Sequence, residues 1–354
     1  MRAQKVGAVG AHESGAVGAR RLPASGLAAY KERVWRSANL WFRPSERSRM
    51  PQWRPVEYVK VQSKQVVVAD QSQKHPSHAL TPGDLLRAFG QRTKKQFGQH
   101  FLVDPSILDE IVRCAGLKPG ESVLEIGPGC GTLTLMMLQA GARVDSIEID
   151  RDAVAFLQEA LPQAWGFTLH PGDALKTDLA AIVSSRPGPW KAVANLPYNV
   201  GTEVTFRLFE LRETIGSMTL MYQREVAQRM VAKAGEEDYG ALSLMVELYA
   251  DAEIVMSLPP GAFVPPPKVH SSVVNFEMLP KTRIEDHERR AFFERVVKSA
   301  FQARRKTLPN GLKALKLPKD QVVAAIESAG LSPKVRPERV GFDDFLKIAD
   351  ALRA

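Results

Sequence analysis

The sequence predicts an α/β fold: a doubly wound parallel sheet with an antiparallel strand pair at one edge, then a small all-helical lobe. Three observations carry this. From residue 122 onward, short β-rich runs alternate with helical patterns at the spacing of parallel crossover units. The first run ends in a glycine-rich turn, EIGPGCG at 125–131, that opens a helix. After Pro280 the strand signal stops and apolar residues recur at helical spacing only.

Each element has its own local warrant. Asp104-Pro105 reads as an N-cap followed by proline at the first helical position. Ile107, Leu108, Ile111, Val112 and Ala115 then recur at helical spacing, and Gly116 supplies the stop. Residues 122–127 (SVLEIG) form a buried strand, 132–140 an apolar helix, and 143–150 (RVDSIEID) a second strand. A helix over 152–161, strands over 166–173 and 191–195, a helix over 202–211 and a strand over 217–222 follow. Two further strands, 251–258 and 269–279, flank the proline-rich 259–267, and their proximity predicts the antiparallel pair. No internal repeat is present.

The chain has 354 residues, 44 % of them hydrophobic and 25 % charged, which is a globular profile. Its formal charge of +9 is unevenly spread. Residues 1–90 hold 15 Lys/Arg against 6 Asp/Glu, whereas 91–354 hold 33 of each sign. The first ninety residues are rich in Gly, Ala, Ser, Gln and Pro without periodicity, and read as a basic, mostly disordered extension. Such a segment serves as a solvated tail, an organelle-targeting sequence or a nucleic-acid-binding arm. The folded part divides into 91–280, a ligand-binding α/β domain, and 281–354, the helical lobe. Residues 281–319 carry twelve Lys/Arg against four acids, which suits a phosphate backbone or an ordinary solvated helix face. Two cysteines, Cys114 and Cys130, form no CxxC pair, so neither a zinc site nor a disulfide framework is expected and a reducing, cytoplasmic setting is. No uncharged apolar stretch reaches the ~20 residues a membrane helix needs.

The glycine turn carries a Gly-x-Gly-x-Gly spacing with Thr132 where a dinucleotide fingerprint needs its last glycine. That argues against pyrophosphate and for a nucleoside that lacks one; a plain tight turn is the alternative. Glu148 ends the second strand, where a carboxylate accepts both hydroxyls of a ribose or stands as a surface acid. Asp173 ends the third strand, where it accepts the amino hydrogens of an adenine or closes an Asx turn. The fourth strand runs into Asn195-Leu196-Pro197-Tyr198. An exocyclic amine on a base is a poor nucleophile because its lone pair is delocalised into the ring. The Asn195 side chain and the Leu196 carbonyl can accept its two hydrogens and aim that lone pair. Pro197 fixes the turn. Tyr198 stacks on the base and favours developing positive charge through its ring face.

Asn-Leu-Pro-Tyr after a Glu-x-Gly-x-Gly-x-Gly turn resembles the amino-methylating enzymes of the Rossmann-like, class I, S-adenosylmethionine-dependent methyltransferase group. Two more segments narrow it: KKQFGQHFL at 94–102 and Phe263-x-Pro265-x-Pro267-x-Val269-x-Ser271. With FQARRKTL at 301–308, the set resembles the adenine N6,N6-dimethyltransferases of small-subunit ribosomal RNA, from about 94 to 313 and in the right order. The resemblance implies S-adenosylmethionine as cofactor and no metal. It implies that His100 and Leu102 close over the methionine part of the cofactor, with Gly127 against its backbone. Glu148 holds the ribose, Asp173 and Ala174 the adenine ring, and Asn195 lies beside both cofactor and target amine. Phe263 forms the second aromatic face of the target pocket; a hydrophobic plug ahead of a proline turn is the alternative. Arg304, Arg305 and Lys306 contact RNA phosphates.

The implied reaction is dimethylation of N6 of two adjacent adenosines in a loop of small-subunit rRNA, on an immature small ribosomal subunit, by a monomer. Two alternatives share these motifs. One is a large-subunit rRNA adenine methyltransferase of the antibiotic-resistance type. The other is a ribosome-assembly or RNA-binding factor in which catalysis is secondary. Protein-glutamine and DNA-adenine methylases usually carry Pro at position 196, and Leu196 speaks against them.

Overall fold

The computed structural model describes residues 80–92, 100–303 and 306–353. Residues 1–79, residues 93–99 with the KKQFGQ part of the 94–102 motif, and both Arg304 and Arg305 lie outside the described residues. In chain order the strands are β1 (Phe101–Leu102), β2 (Ser122–Ile126), β3 (Arg143–Glu148), β4 (Phe167–Pro171), β5 (Trp190–Asn195), β6 (Ile215–Gln223), β7 (Ala250–Leu258), β8 (Phe263–Val264) and β9 (Ser271–Met278). The central sheet has seven strands in the order β4-β3-β2-β5-β6-β9-β7, with β2 to β6 parallel. The chain winds outward from β2 to β4, then returns to β5 beside β2 and winds the other way. This switch point is where ligands gather in open α/β sheets, at the carboxyl ends of the strands.

The expected antiparallel pair is present, but the last strand does not take the edge. β9 inserts between β6 and β7 and pairs antiparallel with both. Burial explains the order. β9 carries the buried run Ser271, Ser272, Val273, Val274, whereas β7 is half exposed along most of its length and suits an edge.

Ordered structure begins earlier than the composition of residues 1–90 suggests. Helix α1 (Pro82–Arg92) lies in the stretch expected to be disordered, yet it buries Leu85 and Phe89. The Phe89 ring meets Phe101 edge-on at 5.6 Å and Phe156 at 5.2 Å. Thr81 and Asp84 cap the helix: Asp84 Oδ2 accepts from the Thr81 N–H at 3.0 Å. Composition hid this helix because two anchoring apolar residues in a polar segment leave the local average unchanged. Phe89→Ala is expected to cost about 3–4 kcal/mol in denaturant unfolding, the range for an emptied core phenylalanine site. A loss under about 1 kcal/mol would mean that the helix is dispensable to the core.

Helix α2 (Pro105–Cys114) starts as expected, with Asp104 Oδ1 accepting from the Ser106 N–H at 2.9 Å. Beyond the sheet, α9 (His287–Gln302), α10 (Leu308–Gly311), α11 (Lys319–Ser328) and α12 (Phe342–Arg353) form the helical lobe. Its core holds Phe293, Val296, Val297, Phe345 and Ile348. Tyr239, from the sheet domain, donates its hydroxyl hydrogen to the Val340 carbonyl at 2.9 Å and sets its ring against Phe301. A buried phenol needs a partner at its polar tip, so this contact ties the two parts together.

Candidate active site

The glycine turn, Glu148, the loop after β4 and Asn195 all stand at the carboxyl edge of β2, β3, β4 and β5. Gly127, Gly129 and Gly131 adopt φ of 70°, 57° and 80°, a region that penalises any other residue. A Cβ on Gly129 would meet the Phe101 ring at 2.9 Å, and one on Gly131 would meet Leu157 at 2.7 Å. The turn is thus moulded from behind by apolar side chains, which leaves its other side free to lie against a ligand. Gly127 faces the Pro197 ring, so the glycine turn and the Asn195–Tyr198 loop share a wall.

Glu148 is 5 % exposed. Its Oε2 accepts from the Gly129 N–H at 3.0 Å and its Oε1 from the Asp150 N–H at 2.8 Å. Each carboxylate oxygen has a second acceptor direction left for a ribose hydroxyl. Burial holds this carboxyl above the ordinary range, against the pull of the backbone N–H groups around it. Directly beyond it, Ile149 is 59 % exposed, and with Glu148, Pro171 and Gly172 it lines a cleft. An apolar surface beside a buried carboxylate with acceptor directions to spare suits a nucleoside, so the residues present fit S-adenosylmethionine. The sequence reading missed Ile149. Its signal was a β-branched residue one step past the strand-end carboxylate, where the ladder to β4 has ended.

Asp173 takes the Asx-turn geometry, accepting from the Leu175 N–H at 2.9 Å and pairing with Lys176 at 3.1 Å. This turn aims the loop that carries Ala174. Arg207 donates to the Ala174 carbonyl and, at 2.9 Å, to the Thr177 carbonyl, holding the loop to helix α6 (Gly201–Phe209). Arg207 was not legible in the sequence, because nothing local links it to a loop thirty residues upstream.

The second half of the site is a two-stranded ladder between distant segments. β1 pairs antiparallel with β8, Phe101 opposite Val264 and Leu102 opposite Phe263. His100 Nδ1 lies 2.7 Å from the Pro265 carbonyl oxygen. The Asn195 amide NH₂ donates to the His100 carbonyl at 3.3 Å, which leaves Oδ1 as a free-pointing acceptor. The Tyr198 hydroxyl sits 2.6 Å from the Ser271 hydroxyl. The ladder therefore brings the first motif, the Asn195–Tyr198 loop and the proline-rich segment into one site.

Phe263 and Leu102 are both 2 % exposed and pack as a cross-strand pair. The basic face of 281–319 is narrower than its composition. Arg289 pairs with Asp350 at 2.6 Å, Lys281 with Glu285 at 3.3 Å, Lys298 with Glu294 at 3.3 Å and Arg283 with Glu247 at 3.6 Å. Lys306, Lys313, Lys316 and Lys319 are exposed and carry no ion pair among the described residues. Leu196 is buried by its side chain, so only its backbone is offered to a substrate.

Behind the glycine turn, Glu125 is fully buried, and its Oε2 accepts from Thr134 and Ser146 hydroxyls at 2.6 Å each. Burial pushes its carboxyl up to about 7, only partly countered by those donors. The folded state therefore holds this proton up to near neutrality, while an unfolded chain releases it near 4.5. The stability that the neutral form contributes is complete below the unfolded value and is lost as pH rises toward 7, by up to about 3 kcal/mol. Glu125→Gln should gain stability over the wild type between pH 5 and pH 8, read by denaturant unfolding at both. A difference independent of pH would show that Glu125 titrates alike in both states.

The winding order, the moulded glycine turn and the carboxylate at the end of β3 define a class I S-adenosylmethionine-dependent methyltransferase. Within that class the chain belongs to the ribosomal RNA adenine dimethylase family, whose model matches residues 90–354. It is 42 % identical over 264 residues to ribosomal RNA small subunit methyltransferase A of Syntrophotalea carbinolica, covering 74 % of this chain and 97 % of that protein. With the protein of the same name from Pseudomonas putida the identity is 43 % over 267 residues, covering 75 % and 96 %. Among solved structures, a dimethyladenosine transferase from Plasmodium falciparum aligns with a TM-score of 0.59 and 27 % identity, over 70 % of this chain and 96 % of that one. The 23S rRNA methyltransferase ErmE aligns with a TM-score of 0.56 and 26 % identity, over 72 % and 100 %.

Proposed function

We propose that this chain dimethylates N6 of two adjacent adenosines in a loop of small-subunit ribosomal RNA, acting as a cytoplasmic monomer on the immature subunit. The observation that carries the chemistry is the Asn195 amide. With its NH₂ donated to the His100 carbonyl, its Oδ1 is the group left to accept a hydrogen from the target amine. Bound S-adenosylmethionine supplies an electrophilic methyl group on a sulfonium sulfur. The chain itself supplies position and electrostatics. Glu148 and the Ile149 surface hold the nucleoside part, Asn195 Oδ1 and the Leu196 carbonyl orient the amine, and the Tyr198 ring steadies charge that develops on it. The base must leave its stack to reach Tyr198, which favours a loop over a regular duplex. Arg304, Arg305 and Lys306, with the exposed lysines at 313, 316 and 319, are the residues assigned to RNA phosphates. The small-subunit assignment is supported by the curated relatives, whose names carry it at about 40 % identity over nearly their full length. Among the described residues, no helix is long and apolar enough to cross a membrane.

The test is incubation of undermethylated small subunits with radiolabelled S-adenosylmethionine, followed by nucleoside analysis. N6,N6-dimethyladenosine in the small-subunit RNA is the expected product. Label confined to large-subunit RNA would move the chain to the antibiotic-resistance type. Assembly rescue by a variant that transfers no label would favour the assembly-factor reading.

A further inference from the structure

Tyr198 stands on a turn between β5 and α6 rather than on a strand, and its ring is half-buried. The backbone of the turn is tied: the Val200 N–H donates to the Pro197 carbonyl at 3.1 Å. That bond leaves the ring free to rotate about its side-chain torsions. At the ring's far tip, the Tyr198 hydroxyl meets the Ser271 hydroxyl at 2.6 Å. Ser271 is a fixed anchor. It is fully buried and opens β9, with Gln223 of β6 on one side and Leu258 of β7 on the other. The Arg224 N–H donates to the carbonyl of the preceding His270 at 2.9 Å. The next residue, Ser272, is equally buried but projects to the opposite face of the strand, and its Oγ finds no partner among the described residues. Of these two adjacent hydroxyls, Ser271 is the one that reaches Tyr198.

We propose that Ser271 is a positioning residue for methyl transfer: it locks the Tyr198 ring at the angle at which the extruded base stacks, and it acts through the Tyr198 hydroxyl alone. This rests on the reading of Tyr198 as the ring that faces the target base. An aromatic face favours a stacked base or a developing positive charge only over a limited range of offsets and tilts. A ring held at its Cα alone samples several orientations. One held at both ends is already placed when the base enters. The sheet, through Ser271, therefore sets the stacking angle of a ring that belongs to a loop. Affinity for RNA comes mainly from phosphate contacts away from this ring, so loss of the anchor falls on turnover rather than on subunit binding.

The test compares Ser271→Ala, Tyr198→Phe, the double variant and Ser272→Ala in the full chain, with undermethylated small subunits as substrate. Ser271→Ala and Tyr198→Phe should each lower kcat about three- to ten-fold, the worth of one hydrogen bond. KM for subunits and calorimetric affinity for S-adenosylmethionine should stay within about two-fold. The double variant should be no slower than the slower single one, because both changes remove the same bond. Ser272→Ala should keep kcat within about two-fold of wild type, since its hydroxyl has no bond to lose. Fluorine NMR of protein carrying 3-fluorotyrosine reads the anchor without turnover. The resonance that Tyr198→Phe removes should shift in Ser271→Ala and stay in place in Ser272→Ala. Multiplied losses in the double variant, a kcat for Ser271→Ala within about two-fold of wild type, equal losses in Ser271→Ala and Ser272→Ala, or a fall of about ten-fold in cofactor affinity in Ser271→Ala overturns the proposal. An unmoved resonance in Ser271→Ala does the same. Failure of the wild type to methylate small subunits would instead sink the assigned reaction, and the fluorine comparison would still decide whether Ser271 holds the ring.

Discussion

Asn195→Ala should lower methyl transfer to small-subunit RNA by about 10²–10³-fold, the scale seen when one preorganised polar group at a reaction centre is removed. Calorimetric affinity for S-adenosylmethionine should change by less than about three-fold, because the Glu148 and Ile149 side of the site is untouched. The reason lies in how the amide is held. Its NH₂ is committed to the His100 carbonyl, so its oxygen has one orientation and needs no reorganisation when an amine arrives. Alanine leaves the amine free to rotate and its lone pair in conjugation with the ring. If the variant kept more than about a tenth of the wild-type rate, Asn195 would be no more than a turn residue.

Glu148→Ala should act on the other half of the site. Hydrogen bonds to a buried carboxylate are worth about 1.5–3 kcal/mol each, so losing two hydroxyl contacts should weaken S-adenosylmethionine binding by about 10²-fold or more. The turnover rate at saturating cofactor should fall far less. The variant also strips the Gly129 and Asp150 N–H groups of their acceptor, so thermal unfolding of the free protein must be compared first. Because burial holds the carboxyl of Glu148 above the ordinary range, acid should weaken cofactor binding at a higher pH than it would for an exposed glutamate. Unchanged affinity in a folded Glu148→Ala would remove the ribose assignment.

Much of the fold was readable because parallel strands buried on both faces leave continuous apolar runs, and each strand from β2 to β6 falls where its run predicts. The placement of β9 inside β7 was not readable from order along the chain, though the greater burial of 271–274 is consistent with it. At the candidate site, the strand-end positions of Glu148 and Asn195 were legible from their runs, and both stand at the last position of a strand. What sequence could not show is which way a side chain turns in a two-residue strand. Leu102 and Phe263 face each other across the ladder and are buried, and only the register of β1 on β8 reveals that pairing. Ion pairing was equally hidden. Arg289 finds its partner Asp350 sixty-one residues later, so counting charges overstated the free basic surface.

The clasp between β1 and β8 also sets when the protein becomes competent during its own synthesis. His100 and Pro265 are separated by 165 positions, so no nascent chain that stops short of residue 265 can close the clasp that positions the His100 end of the Asn195 contact. At ribosomal elongation speeds this is a lag of roughly 10–30 s after His100 is made. Fragments that end before β8 lack the strand that pairs with β1.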